Sequence, residues 1–148
     1  MDMRTTTTTT ADLQHAWAAV VDIDSWPRWT PSIRSVHRLD DGELRVGSRA
    51  KVKQPGIPTM TWQVDELRDC EVFTWTAASP GVRTTGLHRV TTNPDGTTEI
   101  TLEVAHRGPL AGLVGALTGG RTRRYLKLEA AGMKAASEAS ASAGTGAD

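Results

Sequence analysis

Apolar positions in "ADLQHAWAAVV" (residues 11–21) fall at Leu13, Ala16, Trp17, Val20 and Val21, the i, i+3, i+4, i+7, i+8 spacing of one helix face. Asp12 stands at the positive end of that helix. The preceding Thr5 to Thr10 are β-branched and stiff at χ1, which suits a first strand better than a coil. In "DIDSWPRW" (22–29), Asp24 or Ser25 can cap a second short helix, and Pro27 fits a first turn where no amide hydrogen is needed. Beyond Pro31 the pattern changes to short strands: "SIRSVHRL", "SRAKVKQ", "TMTWQVDEL", "EVFTWTA", "VRTTGLHRV" and "TTEITLEVAHR". Mostly short turns bearing Gly or Asp separate them, Asn93-Pro94-Asp95-Gly96 being the strongest hairpin signal. This predicts an antiparallel meander. From Pro109 the helical period returns, with Leu110, Leu113, Val114, Leu117, Arg121, Tyr125 and Leu128 sharing one side. The tail, residues 135–148, has too little apolar surface to offset ordering entropy and is expected to be disordered.

The order is thus strand, two helices, six strands, long helix, in one domain over residues 1–134. A sheet with one apolar face needs a cover, and only the last helix is long enough to provide it. Composition narrows the setting. The 148 residues suit a single domain, and 17 basic residues balance 17 acidic ones, so no global field favours nucleic acid or an anionic membrane. One cysteine excludes an internal disulfide framework. No apolar run approaches the roughly twenty residues that span a bilayer, and "MDMRTTTTTT" lacks the plan of a secretory signal. The expected setting is cytoplasmic. Neither metal-ligand spacing, a phosphate loop nor a nucleophile elbow is present, so neither metal nor cofactor is expected.

Several stretches, taken in order, resemble the polyketide cyclase/dehydrase branch of the START-like (SRPBCC) superfamily: "AWAAVVDIDSWPRWTPSI", "GSRAKVKQPG", "WQVDEL", "FTWTAASPGVRTTGLHRV" and "TLEVAHRGPLAGLVGAL". The resemblance implies an α+β helix-grip fold. A curved antiparallel sheet of about seven strands wraps around a long C-terminal helix, with two short helices after the first strand. It also implies an elongated cavity for an apolar or aromatic small molecule. Members include aromatic cyclases and binders of lipids and hormones, so the chemistry must come from the residues themselves.

Strand alternation sorts those residues. Met60, Trp62 and Val64 share one face, as do Phe73 and Trp75, and Ile100, Leu102 and Val104. His106 falls on the last of these faces, and His88 lies with Val82, Thr84, Gly86 and Val90. If these faces look inward, two imidazoles come with them. Neutral His can donate one hydrogen bond, accept another and move a proton near neutral pH. His88 is therefore a candidate base for an aldol-type cyclisation, with His106 or Tyr125 as donor; the competing reading is a simple bond to a backbone carbonyl. Met60, Trp62, Phe73, Trp75, Thr84, Leu102 and Val104 are candidate ligand contacts from the sheet, with core packing as the alternative. From the last helix the candidates are Leu113, Leu117, Tyr125 and Arg121, the last of which could meet a carboxylate or phenolate. Trp26 and Trp29 are expected to pin the short second helix over one end of the sheet, beside the cavity entrance. Gly112, Gly115, Gly119 and Gly120 either leave room for a ligand, pack closely on the sheet, or break the helix at Gly119-Gly120.

The expected function is binding of a hydrophobic or aromatic small molecule, with or without cofactor-free cyclase/dehydratase chemistry. A non-catalytic carrier and a co-activating interaction module are the alternatives. Monomer and homodimer are both compatible with the sequence.

Overall fold

The computed structural model describes residues 2–146. Strand β1 (Asp2–Thr9) leads into helix α1 (Leu13–Val21), a 3-10 turn (Ile23–Ser25) and the one-turn helix α2 (Trp26–Trp29). Six strands follow: β2 (Ser35–Arg38), β3 (Arg49–Gln54), β4 (Ile57–Arg68), β5 (Val72–Ser79), β6 (Val82–Thr92) and β7 (Thr98–Arg107). Helix α3 (Ala111–Gly146) closes the chain. The strands form one seven-stranded antiparallel sheet in the order β1-β7-β6-β5-β4-β3-β2. The element order is the one the periodicity predicts, and the arrangement is the helix grip that the resemblance implies.

Local chemistry explains the boundaries. Asp12 caps α1, its carboxylate accepting from the His15 amide at 3.0 Å. Pro27 sits in the first turn of α2; Ser25 holds the N-cap position but makes no side-chain capping bond, so that expectation holds in place and not in chemistry. Register shifts in β4 between Val64 and Glu66, and in β3 between Val52 and Gln54, mark bulges, which bend strands and strengthen twist. The Gly108 and Gly81 backbones then meet: a Cβ on Gly108 would lie 2.7 Å from the Gly81 carbonyl oxygen, and both residues have positive φ. The Leu110 amide donates to that same carbonyl at 2.9 Å, which sets the start of α3 on the β5–β6 turn.

Helix α3 packs on α1, β1 and β7. It runs without a break through Gly119 and Gly120. It also continues through residues 135–146, which corrects the expected disordered tail; residues 147 and 148 lie outside the described residues. Ala136 and Ser137 are buried there, and Ser137 donates to the Met133 carbonyl at 2.6 Å. Glu138 accepts from Thr9 Oγ1 at 2.8 Å, and Lys134 donates to the Thr8 carbonyl at 2.8 Å. Side-chain bonds to edge strand β1 thus supply what apolar content does not. The core centres on Phe73, Ile23, Ile100, Val20 and Val64, all fully buried. Among the described residues, no helix is long and apolar enough to cross a membrane.

Candidate functional site

Between the concave face of the sheet and the first half of α3 lies a cavity of about 320 Å³, near the lower end of the ~300–1,000 Å³ typical of small-molecule sites. Trp62 and Trp75 form one wall, with ring centroids 5.4 Å apart. Met60, Leu102 and Val104 continue the apolar lining, and Thr84 adds a hydroxyl. Gly86 makes this wall possible: a Cβ there would stand 3.1 Å from Trp75 Nε1, so bare backbone lets the indole lie across β6.

Both imidazoles line the cavity, but at different places. Four residues of β6 separate His88 from Thr84, roughly 13 Å at strand rise, and His106 is the cross-strand partner of Thr84. The two imidazoles thus take separate positions on the chamber wall. His106 Nδ1 lies 3.0 Å from Thr84 Oγ1, and burial pushes its pKa down.

His88 sits at the end of the chamber under α2. Its ring stacks on Phe73 at 4.1 Å and 11°, and lies 5.3 Å from Trp26. Nδ1 faces the Phe73 carbonyl oxygen at 3.3 Å. A carbonyl only accepts, so Nδ1 carries the proton and Nε2 presents a lone pair. Burial lowers the His88 pKa to about 4, so the ring is neutral at neutral pH. The bond to a backbone carbonyl and the lining position thus coexist.

Glu129 is the residue that sequence reasoning missed. It lines the chamber from α3, four residues after Tyr125, and borders with Trp26 a small second void. Burial pushes its pKa up to about 8. Its side chain is half-buried and lines the chamber. No hydrogen bond or ion pair reaches its carboxyl among the described residues. At neutral pH it is a protonated acid, able to donate.

Four candidates lie elsewhere. Phe73 has no accessible surface and packs beneath His88, because strand alternation assigns a face and not a depth. Leu113 and Leu117 are 57% and 77% exposed. The inward face of α3 is instead Val114, Thr118, Thr122, Tyr125 and Glu129, about one residue out of phase with the leucines. Arg121 is exposed and donates to the Gly56 carbonyl at 2.7 Å, outside the chamber. Tyr125 lines the cavity, but its hydroxyl donates to the Pro55 carbonyl at 2.5 Å. Both bonds tie α3 to the β3–β4 turn.

The two tryptophans of α2 separate. Trp26 is 3% exposed and lines the chamber, whereas Trp29 is 39% exposed. Among the described residues, no group of three or more His, Cys, Asp or Glu side chains could hold a metal ion.

A seven-stranded grip around a long helix, with a chamber between them, defines a class of small-molecule pocket folds. Within it, this chain belongs to the family described as polyketide cyclase / dehydrase and lipid transport, whose sequence profile matches residues 1–138. Among solved structures it is similar to the protein TTHA0849 from Thermus thermophilus, at 12% identity and TM-score 0.75 over 94% of this chain and 98% of that one. It is also similar to the Zhui aromatase/cyclase from Streptomyces sp. R1128, at 16% identity and TM-score 0.68 over 96% and 93%. The di-domain ARO/CYC BexL of the BE-7585A biosynthetic pathway matches at 17% identity and TM-score 0.69, over 93% of this chain and 46% of that one. These likenesses concern the fold. No curated protein matches the sequence.

Proposed function

We propose that this protein binds an uncharged hydrophobic or aromatic small molecule in the chamber between its sheet and α3. The observation that carries the reading is a lining of Trp26, Trp62, Trp75, Met60 and Leu102 around space that side chains leave open. Flat indoles favour flat guests, and each aromatic pair is worth ~0.5–1.5 kcal/mol beyond simple burial. Family membership and the aromatase/cyclase neighbours support it.

A second reading, cyclase or dehydratase, is favoured by Glu129. A carboxylic acid with a pKa of about 8 is well placed to give up a proton near neutral pH. In an aldol closure, Nε2 of His88 takes the α-proton of the ketone and Glu129 protonates the alkoxide formed, so the two protons balance. His88, with a pKa of about 4, is a weak base for the first step. Binding therefore comes first, and catalysis is the added claim.

Native mass spectrometry of the protein from its own host tests the binding reading. An adduct that absorbs in the ultraviolet and leaves on denaturation is the expected result. A bare chain that also fails to take up added aromatic compounds overturns it.

A further inference from the structure

The α2 end of the chamber has a polar character that an oily pocket does not need. His88 and Glu129 both line the cavity, joined by Trp26, whose ring is 5.3 Å from His88 and which borders the adjoining void with Glu129. The Phe73 carbonyl occupies Nδ1 of His88, which makes Nε2 an acceptor. The Glu129 carboxyl has no partner among the described residues, and neither Lys nor Arg lines the cavity. An unpaired polar group in an apolar site costs about 1–3 kcal/mol, so both positions call for a ligand group that completes them. A bound anion would meet no counter-charge.

Resting on the binding reading above, we propose that this end selects an uncharged ligand with a hydroxyl group, a phenol or enol. The hydroxyl donates to Nε2 of His88 and accepts from the carboxyl of Glu129. One O–H group is both donor and acceptor, so it satisfies both side chains at once. An ether oxygen only accepts and leaves His88 unsatisfied. A carboxylate likewise only accepts, leaves His88 unsatisfied, and brings a charge that no cation in the lining offsets.

Equilibrium dialysis at neutral pH with four probes of one ring system tests this: naphthol, its methyl ether, naphthoate and naphthylmethylammonium. The expected order places naphthol roughly tenfold or more above the ether, as one satisfied hydrogen bond allows, with naphthoate weakest. In His88→Leu the naphthol-to-ether ratio falls toward unity while the ether still binds, whereas in Glu129→Leu both guests weaken and the ratio persists. Circular dichroism melts confirm that each variant is folded. Should one misfold, Glu129→Gln, which keeps a donor, is expected to retain the ratio. Equal binding of naphthol and ether to the wild type overturns the hydroxyl assignment and leaves the pocket reading standing. Tightest binding of the ammonium probe or of naphthoate also overturns the assignment. Uptake of none of the four overturns the pocket reading itself.

Discussion

The two halves of α3 do different work. From Ala111 to Glu129 the inward face carries Val114, Thr118 and Thr122, side chains too short to reach the sheet and fill the space, and ends on the Glu129 carboxyl. From Ala130 onward it carries Ala130, Met133 and Ala136, all buried. In this second half Gly132 lets the helix press on α2; a Cβ there would stand 2.6 Å from the Trp29 carbonyl oxygen. One continuous helix thus spans a chamber and then closes a core. The chamber is therefore a matter of which side chains face inward. Stability should reside in the second half and ligand binding in the first.

Substitutions can break that division. The largest effects belong to the packed region: Phe73→Ala or Met133→Ala should cost about 2–5 kcal/mol in denaturant unfolding. Thr122→Ala on the chamber face should change stability by less than about 0.5 kcal/mol. Similar costs at both places would mean that the chamber is as tightly filled as the core.

Next in size is a pH effect. Glu129 titrates at about 8 when folded and near 4.5 as a free side chain. Because the folded state holds the proton more tightly, this group's stabilisation is present below 4.5 and is lost as pH rises through 8, at about 1.4 kcal/mol per unit. His88 works in the opposite sense. Its pKa falls from 6.5 to about 4, so its contribution is present above 6.5 and lost as pH falls through 4. His106 and Tyr125 share the cavity with both groups. Thermal melts of Glu129→Gln should show a gain over wild type of a few kcal/mol at about pH 9, shrinking toward about pH 5. A constant offset across that range would remove the buried acid from the account.

Gly132→Ala forces backbone to move and should cost about 1–3 kcal/mol, with the chamber still able to bind. Smaller than this is Tyr125→Phe, which removes the hydroxyl bond to Pro55 and should cost about 0.5–1.5 kcal/mol. Faster ligand exchange in a stopped-flow trace would show that this tie also slows passage past the β3–β4 turn.

Sequence periodicity made the sheet and its inward face legible, because a period of two leaves a strand residue only one of two sides. Trp62, Trp75, His88 and His106 fall on the faces that this period assigns, and all four line the cavity. Helix phase was less secure. Leu113 and Leu117 look like an inward stripe, but they face outward while the more polar Thr118 and Thr122 face the chamber. Hydrophobicity identifies a core-facing side only when that side is packed, and here it is hollow. Glu129 was invisible for the same reason. A carboxylate on a helix is usually solvated, and only the fold reveals that its nearest open space is a chamber. Order in the tail rests on Thr9, Glu138 and Lys134, contacts made across more than a hundred residues of chain that no local pattern announces.

That the first half of α3 encloses space for a guest is tested most directly by calorimetry. Naphthol methyl ether is titrated into wild type and into Thr122→Phe, whose larger side chain should fill the chamber without touching the packed half. The expected result is one guest per wild-type chain and none in the filled variant, with thermal stability kept. No uptake by the wild type, or equal uptake by both, would contradict it.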